Sequence, residues 1–294
     1  LSKTAASTIY ARWTTKSIKC DAGKYLPANS ETCSTCLAGY YCAGGTFTYG
    51  SSAQGLTGVC ASGYSTGGAS ASTCTACASG YAASGTAYTN HDAASDCKKT
   101  ITLNKNGGSG TIQGKTGTTN ATITCSQGVA CNFGSASGLT QNGYTFKGGW
   151  GTSASCTATT TSFTTPTTAT YYACKTANTN TITYSCGTAD TGATAPANGT
   201  ATYNANFTPA ANTCTRRGYD FAGWEVSNTS GTVRPAGTAF KWTYLENKTF
   251  TATWTVKNIT CAAGTYLSSN SLTCSSCTAG YACPGGTYPY STSA

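Results

Sequence analysis

The chain predicts a mostly β protein, with tandem small sheet modules joined by disulfide-stapled, loop-rich cysteine modules in an elongated array. Three observations carry that expectation. Eighteen cysteines and no methionine stand among 294 residues, with 35 glycines, 91 serines and threonines and few helix-favouring side chains. Apolar and polar residues alternate with period two in several short runs, the mark of strands with one buried face. The first 53 residues also return at the end of the chain, shifted by 241, with 27 of the 53 positions identical. A long composite period of this kind belongs to arrays read through stacking geometry.

Taken in order, residues 1–16 read as the closing strand of a preceding β repeat: Ile9, Ala11 and Trp13 alternate with Tyr10 and Arg12. The segment begins within a recognisable strand, so any export signal or anchor is expected outside it. Residues 17–97 form a cysteine-rich module of two sub-repeats. Cys20 is followed by the C-x-x-C of Cys33 and Cys36 and by Ala38-Gly39-Tyr40; Cys60 is followed by Cys74, Cys77 and Ser79-Gly80-Tyr81. Residues 98–176 and 177–256 are two β modules, and the cysteine pattern resumes over 257–294.

The spacing in the cysteine-rich part resembles the small modules of the ephrin-receptor-like and tumour-necrosis-factor-receptor-like type, rods held by staggered disulfides. The resemblance implies that Cys20 pairs with Cys33, Cys60 with Cys74 and Cys77 with Cys97. Cys36 and Cys42 are then left to each other, or one of them exchanges partners with Cys60. Cys261 and Cys274 take the places of Cys20 and Cys33. Each bridge closing a loop of this size stabilises by about 3 kcal/mol in the chain-entropy account, so reduction is expected to unravel this part first.

The two β modules share a signature. Asn142-Gly143-Tyr144-Thr145-Phe146 leads to Trp150 as Arg217-Gly218-Tyr219-Asp220-Phe221 leads to Trp224, and Thr170-Tyr171-Tyr172-Ala173 answers to Thr249-Phe250-Thr251-Ala252. This resembles the internalin-type B-repeat, or Listeria-Bacteroides repeat, of bacterial surface proteins, whose GYxFxGW core and Trp-ending closing strand imply a small β-grasp-like sheet. Tyr144, Phe146, Trp150, Tyr219, Phe221, Trp224, Trp13 and Trp254 are the expected module cores, as the largest apolar side chains available. Asn106-Gly107 offers the positive φ angles of a tight hairpin. The first module departs from the pattern, with Lys175 where Trp13 and Trp254 close the other copies, and Cys174, placed to reach Cys156, compensates for the lost indole. Cys186 can join Cys214, and Cys125 can close a short loop to Cys131. All eighteen cysteines pair only if Cys283, with or without Cys277, finds a partner beyond the tail.

Several function classes lose ground on composition. The net charge of +9 reflects only eight carboxylates rather than basic clusters, which argues against nucleic-acid partners. No stretch reaches the apolar length of a membrane helix. The C-x-x-C motifs lack the context of zinc or redox sites, no acidic loop suggests calcium, and the single histidine, His91, reads as a solvated loop residue rather than a general base. No catalytic residue, metal or cofactor is expected. Thiol density points to an oxidising, extracellular or cell-surface habitat. The expected function is a stalk or fibre subunit on a bacterial surface whose partners are copies of itself, joined head to tail or laterally through exposed strands such as Thr8 to Trp13. The alternative is an adhesin gripping a host protein or glycan through tyrosines such as Tyr64, Tyr88, Tyr288 and Tyr290.

Overall fold

Strands account for the regular structure in the computed structural model, which describes residues 8–292; no α-helix occurs among them, only 3-10 turns at Tyr88–Asn90 and Ala94–Asp96. The chain divides into one compact unit of residues 1–140 with 146–175 and a second of residues 141–145 with 176–294.

Two sheets dominate, and they are built alike. In the first, the opening strand Lys98–Asn104 pairs antiparallel with Ala121–Ser126 and parallel with the closing strand Thr170–Ala177. The signature strand Tyr144–Gly151 lies beyond the closing strand. In the second, the opening strand Thr179–Ser185 pairs antiparallel with Gly199–Thr202 and parallel with the closing strand Lys248–Val256. That closing strand pairs antiparallel with the signature strand Tyr219–Val226, which carries the short edge strand Val233–Arg234. Opening and closing strands are thus central in both sheets, and their alternation follows from having one face buried: Ile101 and Leu103 point inward in one, Ile182 and Tyr184 in the other.

The core of the first sheet gathers Ile101, Leu103, Phe133, Phe146, Trp150 and Tyr171; that of the second gathers Ile182, Tyr184, Trp224, Trp242 and Phe250. Trp150 and Trp224 anchor both in the same way, each indole Nε1 donating to a carbonyl, of Gly134 at 2.7 Å and of Ala210 at 2.9 Å. A buried indole is favourable only when its N–H finds such a partner.

Several expectations are corrected here. Asn106 and Gly107 do adopt positive φ, but they open a long loop between Asn104 and Ala121 rather than a tight hairpin. Tyr144 and Tyr219 are half-buried and lie outside both core clusters, while Phe221 and Trp254 pack at the border of the second. The described part of the expected first strand, residues 8–16, forms no strand; the remainder, 1–7, lies outside the described residues. Trp13 is 91% exposed rather than in a core. The equivalent closing strand Lys248–Val256 is held between two neighbours, and residues 8–16 have no such neighbours among the described residues.

The cysteine-rich segments contain only short ribbons. Ser17–Cys20 pairs with Gly45–Thr48, Lys24–Tyr25 with Ser34–Thr35, and Gly63–Tyr64 with Thr75–Ala76. In the tail, Asn258–Cys261 pairs with Gly286–Pro289 and Thr265–Leu267 with Cys274–Ser276. Ribbons this short cannot stand alone in water, so covalent links take over the work of a core.

Candidate functional site

All cysteine sulfurs are bonded in nine disulfides, with no free thiol. The pairs are Cys20–Cys33, Cys36–Cys42, Cys60–Cys74, Cys77–Cys97, Cys125–Cys131, Cys156–Cys174, Cys186–Cys214, Cys261–Cys274 and Cys277–Cys283. The last corrects the expectation that Cys283 must look beyond the tail. The six-residue step to Cys277 turns at Gly280, at φ +85°, and brings the two Cα atoms to 5.8 Å, within disulfide reach. All nine pairs are local, separated by 6 to 28 residues, and such density suggests an oxidising surrounding. Among the described residues, no helix is long and apolar enough to cross a membrane.

The second feature is a joint that occurs twice in the second compact unit. At the first, the Asn178 N–H donates to the Gly143 carbonyl at 2.9 Å and the Tyr203 N–H to the Asn178 carbonyl at 2.8 Å. The Tyr203 ring then lies on Gly143, so close that a Cβ there would sit 2.2 Å from it, and meets Tyr144 edge to face at 5.4 Å. At the second, Lys257 N–H donates to the Gly218 carbonyl at 2.9 Å and Tyr290 N–H to the Lys257 carbonyl at 2.8 Å. The Tyr290 ring covers Gly218, where a Cβ would be 2.1 Å away, and faces Tyr219 at 6.1 Å. Arg216 stacks on Tyr219 at 3.8 Å, and Arg217 Nη2 donates to the Asn270 carbonyl at 3.0 Å. The glycine of each signature is therefore a seat for a tyrosine from the chain that follows, and its tyrosine is a wall of that seat. Each joint seats a tyrosine of the following chain on the glycine that precedes a signature tyrosine.

Two polar side chains, His91 and Lys105, are buried against expectation. His91 is not solvated: it is fully buried, with Nδ1 3.1 Å from the Gly63 carbonyl and Nε2 3.0 Å from that of Gly85. It ties together loops that have few apolar residues to hold them. Lys105 is 1% exposed, and its ammonium donates to the carbonyls of Gly110, Lys115 and Gly117 at 2.7, 2.8 and 2.7 Å. Three donors meet three acceptors, which satisfies the group without a carboxylate. A lysine following a strand is ordinarily a solvated residue, so only the folded loop reveals this role. Trp242, fully buried with Nε1 3.0 Å from Asn180 Oδ1, and Tyr203 also escaped sequence reading. The retained Gly before Tyr in both signatures was the available hint for Tyr203, because a missing side chain often marks a close approach. Of the tyrosines considered for external contacts, Tyr88 stacks on Tyr40 at 5.5 Å and Tyr290 is buried in its joint.

Comparison with protein-family models, with curated proteins and with solved structures found no match for this chain. What fold and site define by themselves is a mostly β, disulfide-rich chain with two sheets of like strand order and a twice-used contact between a tyrosine and a signature glycine.

Proposed function

We propose that the chain is an extracellular structural repeat protein, a stalk or fibre subunit of a bacterial surface that self-associates through its β modules, with a mechanical rather than catalytic task. The observation that carries this reading is the twice-used Gly-Tyr joint, combined with disulfides such as Cys20–Cys33 and Cys261–Cys274 that tie one cysteine ribbon to the next. A joint repeated at successive sheet corners transmits tension from one segment to the next, and a disulfide carries it across ribbons too thin for a core. The order of the sheets, with parallel opening and closing strands at the centre and antiparallel partners outside, supports the β-grasp-like, B-repeat-type reading of both modules.

Electron microscopy and light scattering of the oxidised chain test the proposal. Elongated particles or fibres that lengthen with concentration are expected; compact, monodisperse monomers at every concentration would overturn it.

A further inference from the structure

The second joint carries charges that seating a tyrosine does not require. Beside Gly218 the side chains of Asp190, Arg216, Arg217, Asp220 and Lys257 border a cleft of about 320 Å³, to which Phe221 and Trp254 contribute its aromatic part. The positions equivalent to the five charges in the first module's sequence are Ser109, Gln141, Asn142, Thr145 and Asn178, all neutral. Backbone bonds support the equivalence. Asp190 N–H donates to the Thr215 carbonyl at 2.9 Å as Ser109 N–H does to that of Thr140, and Lys257 and Asn178 N–H each reach the carbonyl of a signature glycine at 2.9 Å. Since the neutral set seats Tyr203 as the charged set seats Tyr290, the charges serve something other than the seat.

Some of these groups are already engaged. Arg216 donates to Thr188 Oγ1 at 2.9 Å and stacks on Tyr219, Arg217 donates to the Asn270 carbonyl, and Asp190 Oδ1 accepts the Arg217 N–H at 3.0 Å. Three others have capacity to spare. Trp254 Nε1 is buried without an acceptor, whereas the indoles of Trp150, Trp224 and Trp242 donate to Gly134, Ala210 and Asn180; a buried donor left in this state is costly. Lys257 lacks the counter-ion of its equivalent 241 residues earlier: Lys16 pairs with Glu31 at 2.7 Å, and Leu272 stands in the place of Glu31. Asp220 and Lys257 take the places of Thr145 and Asn178, whose side chains bond at 2.6 Å, yet among the described residues they form no ion pair.

Cations and carboxylates side by side select a ligand that brings both an anionic group and hydrogen-bond donors. A bare anion is attracted by Arg217 and Lys257 but repelled by Asp190 and Asp220. A neutral sugar leaves the ammonium and guanidinium without a charge-assisted bond. Phe221 and Trp254 further ask for an apolar face, and the indole N–H for an acceptor. The volume lies at the small end of ligand sites and leaves room for about one ring. A sugar acid meets each demand, with its carboxylate, its hydroxyl donors, its ring oxygen and the carbon face of its ring.

We propose that the cleft beside the second joint is a binding site for a sugar acid of the hexuronate kind. Lys257 and Arg217 hold the carboxylate, Asp220 and Asp190 accept from ring hydroxyls, and the carbon face rests on Phe221 and Trp254. A small tilt of the half-buried indole gives its Nε1–H the oxygen that the protein does not supply. The inference adds a ligand to a chain read above as structural, and it draws on the second module alone, because the first has neutral residues at all five charged positions and Lys175 in place of Trp254.

The test is an NMR titration of the oxidised, nitrogen-15-labelled full chain with methyl glucuronide, following the Trp254 Nε1–H resonance, which Trp254→Phe identifies by its loss. A saturable shift of that resonance is expected, as the indole gains an acceptor. Asp220→Thr with Lys257→Asn imports the neutral pair that the first joint already accommodates, and should weaken binding by about tenfold or more, the loss expected when a charge-assisted contact is removed. Should that variant lose the dispersed spectrum of a folded chain, Lys257→Gln, at an exposed position, makes the same comparison. No shift of the Trp254 resonance up to the solubility limit overturns the proposal, and so does unchanged affinity in the folded variant. Methyl glucoside, sulfate or phenylalanine binding as well as methyl glucuronide would also overturn it, by showing a neutral sugar, a bare anion or an amino-acid zwitterion to suffice. The readout comes from single chains, so it stands or falls separately from the formation of fibres.

Discussion

The two sheets share one strand order yet hold their loops by different chemistry. After the opening strand of the first comes Lys105, whose ammonium gathers the carbonyls of Gly110, Lys115 and Gly117; at the same place in the second comes Cys186, bonded to Cys214. At the end of the closing strand the roles reverse. The first sheet has Lys175, reinforced by the adjacent Cys156–Cys174 bridge, with its amine at the Asn106 carbonyl and over the Phe146 ring. The second has Trp254 packed edge to face on Phe221 at 6.0 Å. A thin sheet needs its long loop and its last strand secured, and a buried ammonium, a disulfide or an indole each meets that need.

The comparison can be broken most forcefully at the loops. Removing the Cys186–Cys214 bridge by a double Ala substitution should cost about 3.5 kcal/mol, the chain-entropy value for a loop of this length, and chemical denaturation of the second unit would measure it. Lys105→Met leaves three buried carbonyls without donors and should cost about 3 kcal/mol in the first. If that variant melts like the parent, the ammonium is not the counterpart of the disulfide. Trp254→Lys, which imports the arrangement of the first sheet without its bridge, should cost about 2 kcal/mol through lost burial, read as a lower denaturation midpoint.

The smallest effect concerns pH, and its sign differs between the sheets. Burial raises the Tyr184 phenol above its ordinary value of 10.0, opposed by the Ala210 N–H that donates to its oxygen. A raised folded value means that this contribution is complete below pH 10 and is lost as pH climbs past it. Burial lowers Lys175 below 10.5, so its contribution grows as pH rises toward 10.5, where the unfolded chain also releases its proton. Alkaline unfolding of the second unit should therefore be blunted by Tyr184→Phe. Lys175→Met should remove a rise in stability from the first. Melting curves followed from pH 8 to 11 check both.

The fold was legible where chemistry is local. Strands such as Lys98–Asn104 and Thr179–Ser185 show their alternation in the sequence, because one buried face imposes it. Disulfides separated by 6 to 28 residues sit close to their spacing pattern, and the Cys277–Cys283 bridge departs from the expected distant partner because the turn at Gly280 allows a near one. Size and apolarity mark Tyr144 and Tyr219 as core candidates but do not reveal direction, and their partners Tyr203 and Tyr290 lie 59 and 71 residues downstream. His91 and Lys105 were hidden for a related reason. A polar side chain looks solvated until backbone carbonyls, which carry no sequence signature, converge on it.

By itself, then, the order of residues determined a strand-rich, sulfur-braced chain with two similar sheet signatures, since alternation, turn chemistry and cysteine spacing act over a few neighbours. Only the tertiary structure decided that the signature glycines are seats for distant tyrosines and that a lysine does in one sheet what a disulfide does in the other. Those outcomes depend on groups brought together across loops, where the geometry of the backbone rather than the identity of the nearest residues sets which contacts can form.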